Sequence, residues 1–350
     1  MPSRPVLLRD IAREASVSVA TVSMALRNSP LISETRREQI QAIGRQMGYV
    51  PNPAMSALAS YRRARRPVHY RENLAFLYQL QRGERSFDDW ENWPIRKGLL
   101  EGMRKRAGEL GYKIECHELP REAASQRRLA KMLGARGIRG ILVHANMQPV
   151  KEALSAFPSF ALVSMIDFCE DAPFHQLRSN DYEVMRLALL QLRKRGYRQP
   201  LYLKPGMEAG RFGPEKLSAL AGIREEFPEM RGRWMDEAEF LHRGMAGLQG
   251  RDRPDVLLIH NHLALEAAAK RHGWSLPLEM AVCHLFASVH LEHYAGVDIR
   301  PALMGNKAID VMDGLLCHGE IGFTHSATTT LVDPVWIDGA SVPEMSRTTV

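Results

Sequence analysis

Residues 6–58 hold two short amphipathic segments that meet at a three-residue break, an arrangement that few folds can use. The first segment, Leu8 to Ala15, puts Ile11, Ala12 and Ala15 on one helical face. The break is Ser16-Val17-Ser18, and Ser18 is a good N-cap for a second helix running from Val19 to about Leu26. Val22, Ala25 and Leu26 recur at helical spacing and can pack on the first helix. A third helix, Ser33 to about Met47, turns Ile40 and Ile43 inward. The pattern predicts a helix-turn-helix, a unit that presents the start of its second helix to the major groove of DNA.

Charge points the same way. Residues 1–71 contain twelve arginines, no lysine and four acids (Asp10, Glu14, Glu34, Glu38), a net of +8. The whole chain is +7, so the remainder carries −1 and the basic character belongs to this one segment. Clustered arginines neutralise phosphates, which makes binding steeply salt-dependent. Within the run Arg62-Arg63-Ala64-Arg65-Arg66, any single arginine also reads as part of a solvated linker.

Several further pieces arrive in order: Asp10-Ile11-Ala12, Val17-Ser18, Thr21-Val22-Ser23, Ser33-Glu34, Arg37 and Gly48-Tyr49-Val50-Pro51-Asn52. Together they resemble the DNA-binding head of LacI/GalR-family regulators, with its D-V-A, V-S-x-x-T-V-S and G-Y-x-P-N signatures. The resemblance implies base and phosphate contacts from Ser18, Val19, Ala20, Thr21, Ser23, Met24 and Arg27. It also implies a hinge helix after the head, with Asn52 as N-cap and Pro53 at the first helical position. In that family the hinge folds on operator DNA and a leucine wedges into the minor groove, the position that Leu58 takes. Val19, Ala20 and Met24 are all apolar, so bidentate contacts to guanine or adenine are not available from them.

From Asn73 onward, apolar strand-like runs alternate with amphipathic helices, which argues for parallel sheets built from βαβ units. Strands are expected at 74–80, 112–119, 140–144, 160–166, 200–203, 256–260 and 280–285. Helices are expected at 95–110, 125–135, 182–195, 213–227, 263–272 and 301–318. The fold class is therefore α/β, with an N-terminal all-α head. The resemblance implies a two-lobed core like that of periplasmic sugar-binding proteins, with the ligand between the lobes. The expected organisation is a head at 1–61 with its hinge helix at about 52–60, a basic linker at 62–72, a core at 73–340 and a tail at 341–350. Met304, Ala308, Met312 and Leu315 form an apolar stripe on the last long helix. The resemblance implies a dimer interface there, and burial inside the lobe explains the stripe equally well.

The core follows the family more loosely than the head. Pro94 and Gly102, Asn180-Asp181, Gly196-Tyr197-Arg198 and Asn261 match family positions, with the amide and acid exchanged at 180–181 and His262 in place of an aspartate. Ala219 falls where the family has an arginine, and Phe286 where it has an aspartate. In the family those two charged groups hold sugar hydroxyls. Arg211 either supplies a guanidinium from another direction or is an exposed loop arginine. Trp93, and less so Trp90, sits in a loop that faces the cleft in the family, where an indole can stack on a sugar. The expected effector contacts are Trp93, Asn180, Asp181, Arg211, Asn261, His262 and Phe286.

Other function classes find little support. His260-Asn261-His262 has the alternation of a chelate, but no partner cluster completes a zinc site and no metal or other cofactor is expected. There is no G-x-S-x-G, Walker loop, H-E-x-x-H or dinucleotide fingerprint, so no enzyme is expected. No apolar run approaches the ~20 residues of a membrane span, and the N-terminus lacks the apolar core of a secretory signal. Cys116, Cys169, Cys283 and Cys317 are isolated and read as mostly buried free thiols of a cytoplasmic protein. The expectation is a cytoplasmic, homodimeric repressor that binds operator DNA and answers to a sugar or sugar acid. The alternative is a DNA-binding regulator that has lost small-molecule control or answers to a protein.

Overall fold

The computed structural model describes residues 6–26, 32–49, 70–80, 83–144, 150–165, 172–206, 214–245, 253–276, 280–287, 293–324 and 326–345, with 248, 250 and 291. The head has three helices: α1 (Leu8–Glu14), α2 (Val19–Leu26) and α3 (Glu34–Gln46). Asp10 reaches back to accept the Leu7 backbone N–H at 2.9 Å, which fixes the start of α1. Ser16 adopts φ 52, and this left-handed residue reverses the chain between α1 and α2. Ile11, Val22, Ala25 and Ile40 are fully buried, so the three short helices stabilise each other through one small core.

The N-lobe begins with β1 (Glu72–Tyr78), α4 (Phe87–Glu91), α5 (Pro94–Leu110), β2 (Tyr112–Glu118) and α6 (Ala123–Ala135). It continues with β3 (Gly140–His144), α7 (Val150–Leu154), β4 (Ala161–Ser164) and β5 (His175–Ser179). The C-lobe follows: α8 (Asp181–Lys194), β6 (Pro200–Lys204), α9 (Glu215–Glu226), β7 (Arg233–Asp236) and α10 (Glu237–Arg243). Then come β8 (Val256–Ile259), α11 (His262–His272), β9 (Ala281–His284) and β10 (Ala295–Asp298). The chain returns to the N-lobe for α12 (Pro301–His318) and β11 (Thr329–Val332), and ends in the C-lobe with β12 (Val335–Ile337).

Each sheet has six strands. The N-lobe order is β2-β1-β3-β4-β5-β11, all parallel. The C-lobe order is β7-β6-β8-β9-β10-β12, parallel except for β12 against β10. In both sheets the strand order reverses beside the first strand, which opens a crevice beyond the carboxyl ends. Among the described residues the chain passes between lobes at 179–181, 298–301 and 332–335.

Every strand and helix expected in the core is present, with ends shifted by no more than a few residues, while the expected hinge helix at about 52–60 lies outside the described residues. Five strands escaped the apolar pattern. β5, His-Gln-Leu-Arg-Ser, buries Gln176, Arg178 and Ser179, and β10 owes its weak signal to Gly296. A Cβ on Gly296 would lie 1.9 Å from the carbonyl oxygen of His284, so the strand pairing admits only glycine. The α12 stripe is used inside the lobe: Met304, Ala308, Met312 and Leu315 are buried, with α12 packed along α5. Residues 341–345, expected as tail, pack on the C-lobe, where Ser341 bonds Ala295 and Val282 and Tyr197 bonds the Pro343 carbonyl. Cys116, Cys283 and Cys317 are free thiols, Cys283 buried and the other two half-buried. Cys169 lies outside the described residues.

Candidate functional site

The element expected to face DNA is α2. Ser18 Oγ accepts the Thr21 backbone N–H at 3.0 Å and exchanges a second hydrogen bond with Thr21 Oγ1 at 2.8 Å. This cap satisfies an orphan N–H and leaves the first turn projecting. Val22 and Ala25 point into the head core, so Val19, Ser23 and Met24 are turned elsewhere; Val19 is 45% exposed. Thr21, Ser23 and Met24 are half-buried. An exposed valine at the front of a capped helix offers an apolar contact but no hydrogen bond. Gln41 and Arg36 of α3 bond the Ala25 and Ala15 carbonyls at 2.9 Å, which holds α2 at its angle to α1. Arg27, Asn52 and Leu58 lie outside the described residues, as does the Ala20 side chain.

Between the lobes, most of the expected effector contacts already have structural work. Asn180 caps α8 by accepting the Glu183 N–H at 3.3 Å, and its amide donates to Asp333 at 2.7 Å. Those bonds tie two of the crossing segments together. Asp181 is buried; its carboxylate accepts Ser179 Oγ at 2.7 Å and pairs with Lys216. Lys216 is fully buried, and its ammonium also lies 5.3 Å from the centre of the Phe286 ring. Lys216 stands one helical turn before Ala219, so a cation does reach this region from α9, spent on an internal acid. Asn261 caps α11 through the Ala264 N–H at 3.1 Å. Trp93 is the N-cap residue of α5 and remains 38% exposed, whereas Trp90 is buried among Phe76, Tyr78, Phe87 and His144. Arg211 lies outside the described residues.

The two histidines of the triplet face opposite ways. His260 bonds the Tyr202 hydroxyl at 3.2 Å and packs on Phe286 at 4.6 Å. His262 packs against His284 and Tyr294, both at 5.5 Å. Among the described residues no group of three or more His, Cys, Asp or Glu side chains is placed to hold a metal. His284 accepts the Phe286 N–H on Nδ1 at 3.0 Å, so the neutral ring carries its proton on Nε2. That Nε2 is buried and has no partner among the described residues. Burial, with a smaller contribution from His262, pushes the His284 pKa down to about 3. Burial also raises the Tyr202 hydroxyl well above its ordinary range, reinforced by Asp181 and Glu237. Lys216, Tyr202 and His284 were not foreseen. A lone lysine in an amphipathic helix reads as surface, and only the fold reveals its partner.

The sequence of the family described as "Bacterial regulatory proteins, lacI family" matches residues 7–52. The head is a LacI-family helix-turn-helix domain. A curated relative, the HTH-type transcriptional regulator GalS of Salmonella typhimurium, is 46% identical over 55 residues, 16% of each chain. The aligned part thus spans about a sixth of that relative's length. Solved structures extend the likeness to the core. A complex of the transcriptional regulator CelR with cellobiose has a TM-score of 0.60 at 17% identity, covering 97% of this chain and 100% of that one. The lac repressor dimer bound to operator and the anti-inducer ONPF has a TM-score of 0.58 at 16% identity, with the same coverage. At such identity the likeness is one of fold: a LacI-family head followed by two parallel-sheet lobes of periplasmic-binding-protein type. Among the described residues no helix is long and apolar enough to cross a membrane.

Proposed function

We propose that this chain is a transcription regulator, most simply a repressor, which binds operator DNA as a homodimer. A small carbohydrate-like effector between the lobes sets its affinity. The observation that carries the reading is the Ser18-capped α2, with Val19 exposed, on a head that matches the lacI family. The CelR complex with cellobiose and the lac repressor with operator lend support to the ligand class and to the DNA partner. One head is too small for tight specific binding, which favours a dimer on a near-palindrome. Work on chromosomal DNA calls for a cytoplasmic protein, and no catalytic role is assigned.

Base reading is assigned to Val19, Ala20 and Met24, with Ser18, Thr21, Ser23 and Arg27 nearer the phosphates. The hinge assignment rests on Asn52 as its cap and Leu58 as the wedge at a flexible central step. Effector contact is assigned to Trp93, Phe286 and His262 at the rim, with Arg211 from its loop; Asn180, Asp181 and Asn261 shape the walls. Direct readout then leans on thymine methyl groups and groove shape. Selection of binding sites from random duplexes with the full chain tests this. The expected result is a near-palindrome with thymine opposite Val19 and Ala20. Half-sites without thymine there would overturn the base-reading assignment, and no enrichment of any sequence would overturn DNA recognition itself.

A further inference from the structure

The outer pole of the C-lobe, at the amino ends of its strands and away from the cleft, holds a cavity of about 690 Å³. Arg224 enters it from the last turn of α9, and Arg231 and Arg233 from the segment leading into β7. Gln199 and the buried Met230 complete the part used here, and Glu225 is the one acid in the lining. Arg224 and Arg231 thus bring two positive charges to the hollow against that one negative, while Arg233 is engaged in an interaction of its own.

Several arginines of the core are neutralised locally. Arg71 pairs with Asp313, Arg96 with Glu84, Arg106 with Asp310, Arg139 with Glu72 and Arg178 with Glu215. Even at this pole Glu226 and Glu229 are taken by Arg186 and Arg193. Arg224 and Arg231 make no ion pair among the described residues, and Glu225 pairs with neither. Two unpaired guanidinium groups beside one hollow give it a local positive potential that attracts an anion. The guanidinium fork offers paired N–H donors in the spacing of phosphate oxygens. Arg224 is compatible with the carbonyl end of α9, which holds a cation there without discharging it.

We propose that this cavity binds a phosphate group, free or carried as an ester on a small molecule, between Arg224 and Arg231. It is a second ligand site, independent of the cleft. Titration calorimetry on the full chain tests it with inorganic phosphate, glycerol 3-phosphate and, at matched ionic strength, sodium chloride. The basic head has its own affinity for phosphate but is identical in every protein compared. Those proteins are the natural chain, the double variant R224Q/R231Q and the control R121Q/R127Q, which alters two exposed arginines on the N-lobe. Both variants change exposed side chains, and circular dichroism verifies their fold. The expected result is saturable phosphate binding in the natural chain and the control, weakened at least tenfold in R224Q/R231Q. Tighter binding of the ester identifies an ester as the ligand, and equal binding identifies the free ion. A non-saturating response equal to that of chloride, or equal binding by R224Q/R231Q, overturns the proposal.

Discussion

At the scale of single residues, His284 gives the stability of the C-lobe a pH dependence. Above about pH 6.5 neither folded nor unfolded chain protonates this ring, and it has no effect. Below that, the unfolded chain takes up a proton that the folded ring refuses until about pH 3, so stability falls as pH falls through this window. The slope approaches about 1.4 kcal/mol per pH unit, which makes roughly 2 kcal/mol between pH 7 and 5. Urea melts of the natural chain and His284→Gln at those two pH values measure it. The natural chain should lose about that much more, and equal losses would put the titration on other groups. The buried Lys216–Asp181 pair makes a separate demand. Lys216→Met leaves a carboxylate buried without its cation and should cost about 3–5 kcal/mol. The double change Lys216→Met with Asp181→Leu should recover most of that in the same urea melts. Failure to recover would mean that Lys216 matters for packing. These residues explain why the cleft was only partly legible in the sequence. The caps at Asn180 and Asn261 follow from a local rule about helix starts. The fate of Asp181 depends on a lysine 35 positions away, which no local pattern can pair with it.

At the scale of elements, α5 and α12 meet at glycines. A Cβ on Gly102 would lie 1.9 Å from the Ala302 carbonyl oxygen, and one on Gly305 would lie 2.0 Å from that of Leu99. Both are backbone atoms that cannot rotate away, so the two helix axes are held at a distance that only glycine permits. Gly102→Ala should push the helices apart and cost about 3 kcal/mol or more by overpacking. Gly108→Ala in the same helix, with open space around it, should be neutral or slightly stabilising. Matching urea midpoints for the two variants would mean that the crossing can relax. Helices such as α5, α8 and α12 were legible because each has one wet and one dry face over many turns. The strands β7, β11 and β12 were not, because they lie at sheet edges where few positions are buried, and β5 was not because its buried Arg178 is satisfied by Glu215 of the other lobe. The three described helices of the head were read almost to the residue, since all their packing is local.

At the scale of the whole molecule, regulation needs a path from the cleft to the DNA. Helix α12 offers one. It starts at the crossing 298–301, where Arg300 sits in the left-handed region at φ 58, and it carries Asp313 farther along. Asp313 holds Arg71 at 2.7 Å and the Tyr112 hydroxyl at 2.7 Å, and Arg71 is where the linker from the head enters the core. A change in lobe angle at the crossings therefore bears on the position from which each hinge departs. In the proposed function a hinge of about 52–60 is too short to be stable alone, so it would need DNA and a correctly spaced partner to fold. An effector acts only if it favours one lobe arrangement over another, because equal affinity for both shifts nothing. The test measures operator affinity by fluorescence anisotropy, on a site found by selection, with cellobiose, gluconate and glucuronate. A ligand of the expected class should change the affinity by about fivefold or more, in keeping with the usual coupling of ~1–3 kcal/mol. Trp93→Ala and Phe286→Ala should then abolish the change while leaving affinity without ligand intact. Full response in both variants would move the effector site away from these residues. If none of the three compounds shifts affinity by even about threefold, the cleft is not under carbohydrate control. The Lys216–Asp181 pair then reads as a permanent occupant of the space that a ligand would otherwise fill.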